Sequence, residues 1–320
     1  MTDYDVFNGD ADGICALLQL RQVEPRNSVL VTGVKRDVEL LSRITAEVGD
    51  RITVLDISMK SNFFALERLL SQGAAVFYVD HHATGVVPVS SSLISILNQS
   101  ANISTSLLVN QYLRGVKIGW AVVGTFGDNL KETAFGMLKG KGYSSEEVSL
   151  LEKLGIYLNY NGYGADLSDL HYDPSTLYEL LLNYMDPLEF INNGDQHYQK
   201  LEAGYHQDLS FVNELDPIRS SKLSAVFMLP DEAWARRVSG VFGNDLANKC
   251  PAKAHAVITK KPSGNYLVSV RAPLSNKRGA GELCSEFPTG GGREAAAGIN
   301  NLPADELTNF IDRFELSFKI

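Results

Sequence analysis

The sequence predicts an α/β fold: a parallel sheet with crossover helices in an N-terminal domain, a helical connection, and a smaller α/β domain at the C-terminal end. Three observations lead there. Four short β-rich runs near the start alternate with stretches of helical period. A second group of strand patterns begins only beyond residue 222. The chain has 320 residues, enough for two domains at roughly 150 residues each, and 44% are hydrophobic, enough to fill their cores.

Taken in order, Tyr4 to Phe7 reads as a strand, followed by a loop and an apolar helix around Ile14 to Leu20. Ser28 to Gly33 is the second strand, and Val38 to Val48 has a helical pattern. Ile52 to Asp56 is the third strand. Ser61 can cap the next helix, whose apolar residues Phe64, Leu66, Leu69 and Leu70 end at Gly73. Ala75 to Val79 is the fourth strand. In the middle, Ser144 and Glu147 form a capping-box start, with Val148, Leu151, Leu154 and Leu158 at helical spacing behind them. Pro174 precedes a helix from Ser175 to Met185. The polar stretch from Asn192 to Asp216 has weaker periodicity and reads as an interdomain connection, so domains are expected at 1–190 and 223–320 with a linker at 191–222. Ala225 to Leu229, Ala254 to Thr259 and Tyr266 to Arg271 are further strands, and Glu232 to Asn248 and Asp305 to Phe318 further helices.

Charge and cysteine usage narrow the function. Acidic residues outnumber basic ones 38 to 29, for a net charge of −9, the wrong balance for a protein that coats long duplex nucleic acid. Cys15, Cys250 and Cys284 are far apart, which argues against a disulfide framework and a zinc ribbon and for a reducing compartment. The acidic start of the chain is unlike a signal peptide, and no apolar stretch approaches the roughly 18 residues a membrane helix needs. A cytoplasmic location is expected, with no membrane partner; a homodimer remains open.

Ligands of parallel sheets sit beyond the carboxyl ends of the strands. Carboxylate motifs fall there: Asn8-Gly9-Asp10-Ala11-Asp12-Gly13 after the first strand, Asp56 after the third, and Asp80-His81-His82 after the fourth. Asp128 follows an apolar helical pattern in Gly124-Thr125-Phe126-Gly127-Asp128-Asn129. Alone, the first motif reads more plainly as a turn, Asp56 as a helix cap or loop residue, and Asp128 says little, whereas Asp80-His81-His82 after a buried strand has little structural use. Together they point to a metal centre, because converging carboxylates repel unless cations neutralise them, and mixed Asp/His sets suit manganese-like ions.

The order NGDADG, LDIS, VDHHAT, FGDN resembles the four motifs of the DHH phosphoesterase superfamily, and Arg271 with Gly290-Gly291-Gly292-Arg293 and Ala295-Ala296-Ala297-Gly298 resembles the DHHA1 domain that accompanies it. The resemblance implies hydrolysis of short oligonucleotides or a cyclic or linear dinucleotide, with two divalent cations, Mn²⁺ foremost and Mg²⁺ or Co²⁺ as alternatives, activating water. Relatives lacking DHHA1 imply a second activity, on pyrophosphate or short polyphosphate. By the same resemblance Asp10 would bind the first metal, Asp12 the second, and Asp56 would bridge them. His81 and Asp128 would complete the second site, Asp80 would orient a histidine or bind weakly, and His82 would donate to the scissile phosphate. Asn8 stands where many relatives carry His or Asp, which weakens the first site and keeps a non-catalytic nucleotide-binding protein in view.

In the C-terminal domain, six basic residues against two acidic ones between Lys260 and Arg293 make a local positive patch sized for a ligand of a few phosphates. Arg271, Gly290, Gly291, Gly292 and Arg293 are its expected contacts, glycine letting backbone N–H groups approach an anion and arginine adding a bidentate donor. The Tyr-rich run Tyr157 to Gly164 could stack on a base or pack over the sheet. His171, His197, His206 and His255 lack metal-ligand spacing, and Trp120 and Trp234 read as core.

Overall fold

Five parallel strands form the sheet of the N-terminal unit: β1 (Asp3–Phe7), β2 (Val29–Val31), β3 (Arg51–Leu55), β4 (Ala75–Asp80) and β5 (Leu93–Leu97), in the order β2-β1-β3-β4-β5. The structure, a computed structural model, describes residues 1–319 apart from the side chain of Asp195. Helices α1 (Ala11–Val23) and α2 (Met59–Ser71) follow β1 and β3. The rest of the unit is helical: α3 (Thr105–Tyr112), α4 (Ile118–Gly127), α5 (Lys131–Leu138), α6 (Ser145–Asn161), α7 (Pro174–Leu181), α8 (Pro187–Asn193) and most of α9 (Asp195–Asn213).

Alternation along the strands builds two cores. Val6, Val54, Val76 and Tyr78 pack on one face with Leu66 and Leu69 of α2. Phe7, Leu55 and Val79 pack on the other with residues of α1, α3, α4 and α6. Helix α1 is buried from Ala11 to Arg21, which explains why its sequence is apolar all round rather than striped. The capping box of α6 is present: Ser144 Oγ accepts from the Glu147 N–H, and Glu147 accepts from the Ser144 N–H at 2.8 Å.

Two local expectations are corrected. Val38 to Val48 is not a helix; it holds one 3₁₀ turn, Leu40–Arg43. Its apolar residues Leu40, Leu41, Ile44 and Ala46 are buried, but side chains of α2 satisfy its backbone. Asn62 accepts from the Leu41 N–H and donates to the Val38 carbonyl, and Arg68 donates to the Leu41 and Ile44 carbonyls. The cap of α2 is Ser58 rather than Ser61, because the helix begins at buried Met59 and Ser58 Oγ accepts from the Ser61 N–H. Strand β5 has no strong local signature, since Ile94 and Ser95 at the sheet edge are exposed.

Contacts divide the chain between Tyr205 and His206. Helix α9 occupies much of the stretch 191–222. The C-terminal unit holds β6 (Arg219–Ser220), β7 (Ser224–Leu229), α10 (Ala233–Lys249), β8 (Ala254–Lys260), β9 (Tyr266–Arg271), α11 (Ala280–Ser285), β10 (Gly290–Arg293), β11 (Ala296–Leu302) and α12 (Leu307–Ser317). Its sheet is mixed, ordered β10-β11-β9-β8-β7-β6, with only β7 and β8 parallel. Among the described residues no helix is long and apolar enough to cross a membrane.

Candidate metal centre

The strand order reverses between β1 and β3: β2 lies to one side of β1, and β3, β4 and β5 follow on the other. Such a switch point opens a crevice at the carboxyl ends of the strands. The loop after β1 delivers Asp10 to that crevice, the first turn of α1 delivers Asp12, and the residue after β3 is Asp56.

Asp10 caps α1, its Oδ1 accepting from the Asp12 and Gly13 N–H groups at 3.0 and 3.1 Å. A Cβ at Gly13 would lie 2.2 Å from the Asn8 carbonyl, so the turn needs glycine there. Asp12 is fully buried and spans to another element: its two oxygens accept from the Thr105 and Ser106 N–H groups at the start of α3, at 2.7 and 2.8 Å. Asp56 adopts the left-handed region (φ 62°), its N–H held by the Val79 carbonyl of β4, and its Oδ1 accepts from Thr105 Oγ1 at 2.9 Å. Asp128 caps the C-terminal end of α4.

His81 joins these groups. Its Nδ1–H donates to the Ile103 carbonyl at 2.6 Å, so that in a metal-binding tautomer Nε2 carries the lone pair. That nitrogen lies 3.2 Å from Asp128 Oδ2, 3.4 Å from Asp56 Oδ1 and 3.9 Å from Asp12 Oδ2. It is buried and has no hydrogen-bond partner. A lone pair facing three carboxylate oxygens is repelled by all of them unless a cation or proton lies between. Asp12, His81 and Asp128 have ligand atoms within 4.8 Å of one another, as do Asp56, His81 and His82. The oxygen-rich set with one imidazole fits a divalent ion such as Mn²⁺.

The electrostatics describe the same strain. Burial, then the charges of Asp12, Asp10, Asp128 and Asp80, push the Asp56 carboxyl well above the usual range. Asp128 is pushed up to about 7 by burial and by Asp12 and Asp10, with Lys35 and His81 opposing. For Asp10, burial is outweighed by the charge and hydrogen bond of Lys35, and its carboxyl is lowered.

Other residues singled out by the motifs lie close by with different partners. Asp80 Oδ1 is 2.8 Å from His82 Nδ1, and its buried Oδ2 has no partner. His82 is partly open to solvent; burial disfavours its charged ring, but the hydrogen bond and charge of Asp80, with Asp128 and Asp10, raise its pKa above the ordinary value. Asn8 does not turn an oxygen toward the carboxylates: Oδ1 accepts from the Asp10 N–H and Nδ2 donates to the Lys35 carbonyl. Sequence reasoning missed Lys35 altogether. It follows β2, whose carboxyl end borders the same crevice, and the strand-end rule could have found it.

In the C-terminal unit, Arg293 pairs with Ala296 and Ala296 with Arg271, which sets both arginines in one cross-strand row on one face of the sheet. Arg271 donates to Asn244 Oδ1 and Ser269 Oγ. The three glycines form strand β10 rather than a turn. A Cβ on Gly290 would strike the Cys284 carbonyl and one on Gly292 would strike Ala297, whereas Gly291 faces open space. The Tyr-rich run is the end of α6, with Tyr157 and Tyr160 buried against Tyr205, so these two rings offer no stacking surface. His171 packs on Tyr160, His197 Nδ1 lies 2.8 Å from the Tyr172 hydroxyl, and Trp120 is core.

No protein-family model and no curated protein sequence matches the chain. Solved structures do. The exonuclease RecJ bound to manganese is similar over 98% of this chain and 89% of its own, with 16% identity and a TM-score of 0.63. RecJ from Thermus thermophilus in complex with Mn²⁺ matches with 16% identity and a TM-score of 0.65, this chain spanning 51% of that one. A pGpG-specific phosphodiesterase, PggH from Vibrio cholerae, matches over 98% of this chain and 97% of its own, with 14% identity and a TM-score of 0.55. The likeness establishes a shared fold across both units.

Proposed function

We propose that this chain is a divalent-cation-dependent phosphodiesterase of the DHH/DHHA1 type that hydrolyses linear dinucleotides or short oligonucleotides. The observation that carries the reading is His81 Nε2, buried without a partner and facing Asp12, Asp56 and Asp128. A Mn²⁺ ion on these four side chains would supply Lewis-acid charge to a phosphate oxygen and acidify a water. The protein's own groups do the rest. Asp80 holds the His82 ring through Nδ1, so Nε2–H of the charged imidazolium is the donor left for a non-bridging phosphate oxygen. The Ile103 carbonyl keeps His81 in the tautomer that presents a lone pair. In the C-terminal unit the Arg271–Arg293 row is a grip for a second phosphate or a terminal one. Likeness to RecJ and to the pGpG-specific phosphodiesterase supports a nucleotide substrate over pyrophosphate.

The test is a hydrolysis panel with Mn²⁺ on pGpG, a cyclic dinucleotide, a five-nucleotide single strand and tripolyphosphate. Turnover of pGpG or the oligonucleotide, abolished by EDTA and by Asp56→Ala, is expected. Turnover of tripolyphosphate alone would refute the nucleotide reading, and nucleotide binding without product would make the chain a binding protein.

A further inference from the structure

The side of the centre around Asp10 is built differently from the side around His81. Both oxygens of Asp10 are engaged, and one of them by a cation: Oδ1 accepts two N–H groups and Oδ2 lies 2.6 Å from Lys35 Nζ. Lys35 Nζ also donates to Asn159 Oδ1 at 2.8 Å and lies 3.7 Å from Asp128 Oδ1. Its loop is tied to α6 by the Lys35 N–H to the Gly162 carbonyl. Three elements thus aim oxygens at one ammonium. Asn8, the remaining group on this side, is neutral and has its amide oxygen engaged by the Asp10 N–H. A hard divalent cation wants six or more oxygen ligands, or close to it with water, and would have to share the Asp10 carboxylate with a fixed positive charge.

We infer that Lys35 is a built-in cation standing in for a second metal ion, so that the centre takes one divalent ion, on Asp12, Asp56, His81 and Asp128, beside a permanent ammonium on Asp10. The inference rests on the metal-dependent reading above and departs from the two-ion arrangement that the motifs imply. Lys35 is then a charge-supplying residue of the site: it neutralises Asp10 without metal and offers a donor beside the bound phosphate. It also explains Asn8. With an ammonium in place, a third acidic ligand on this side has no ion to bind.

The experiment counts ions on the full-length chain, stripped with EDTA and re-equilibrated with Mn²⁺ alone, by elemental analysis after gel filtration and by EPR. The wild type should bind one Mn²⁺ per chain with an uncoupled signal. Asn8→Asp should still bind one, because the ammonium remains. Asn8→Asp with Lys35→Ala should bind two, with the signal of an exchange-coupled pair, and circular dichroism checks that each variant is folded. Two ions in the wild type, or two in Asn8→Asp alone, would overturn the role of Lys35 and leave the hydrolase reading standing. One ion in the folded double variant would also overturn it. No bound ion in the wild type would overturn the metal-dependent reading itself.

Discussion

Replacing Asp56 by Asn should stabilise the metal-free protein and remove its response to Mn²⁺. The substitution changes charge and little else. Asn tolerates the left-handed backbone at φ 62°, and its amide oxygen can still accept from Thr105 Oγ1. What disappears is a buried negative charge. Asp56 Oδ1 lies 3.4 Å from His81 Nε2, which is 3.2 Å from Asp128 Oδ2 and 3.9 Å from Asp12 Oδ2. The Asp56 oxygen is therefore within about 7 Å of each, and at an effective dielectric constant near 20 each such pair of unit charges repels by about 2 kcal/mol or more. Proton uptake relaxes part of this in the wild type, so the expected gain at pH 8 is about 2–3 kcal/mol. The pH dependence has a definite sign. The folded pKa of Asp56 stands above its unfolded value of 3.8, so the wild type loses stability as pH rises above that value. The advantage of the variant should grow with pH and vanish in strong acid. Urea unfolding in EDTA at pH 5 and pH 8, followed by Trp120 fluorescence in a Trp234→Phe background, measures it. Repeating the titration with excess Mn²⁺ should stabilise the parent and not the variant. A variant no more stable than its parent at pH 8 without metal, or one that Mn²⁺ stabilises equally, would refute the reasoning.

Three other outcomes are expected. Gly127→Ala places a Cβ 2.3 Å from Ala11 Cβ, where α4 crosses α1, and should cost about 1–3 kcal/mol while weakening Mn²⁺ binding through the adjacent Asp128; an unchanged Tm would contradict the close crossing. Arg21→Met strands the buried Asp5, which Arg21 holds with two hydrogen bonds, and should cost about 3–5 kcal/mol; adding Asp5→Asn should recover part of it, whereas strictly additive losses in denaturant would argue against the pairing. The buried His255 ring is pushed down to about 4 by burial and by Lys253. Its folded pKa is below the unfolded value, so its contribution is complete above about pH 6.5 and falls away toward pH 4, by about 2 kcal/mol once solvent screening is allowed for. His255→Gln should flatten that acid limb of a Tm-versus-pH curve, and an unaltered limb would count against it.

Local signals proved readable where the interactions are local. Ser144 and Glu147 lie three residues apart, and their reciprocal hydrogen bonds need nothing from the rest of the chain. Strands β3 and β4 announce themselves because largely apolar runs rich in β-branched and aromatic residues leave few other readings. The stretch Val38 to Val48 misleads because its buried apolar spacing suits a helix, while Asn62 and Arg68, more than 20 residues away, offer its backbone other partners. Edge strand β5 is half solvated and carries little pattern.

For the site, the residue types and the strand-end rule nominate Asp10, Asp12, Asp56, Asp80, His81 and His82 as candidates before any coordinates exist, and the motif order adds Asp128. Chain order cannot say which of them share a charge. That depends on the reversal of strand order between β1 and β3 and on the packing of α4 and α6, which set Asp10, Asp128 and Asn159, far apart in the chain, around the Lys35 ammonium. Hydrogen bonds of caps and turns act over a few residues, so composition and spacing encode them. Coulomb energy and desolvation act between groups that only the completed fold makes neighbours, and these decide where the crevice is left short of positive charge and where a lysine already supplies it.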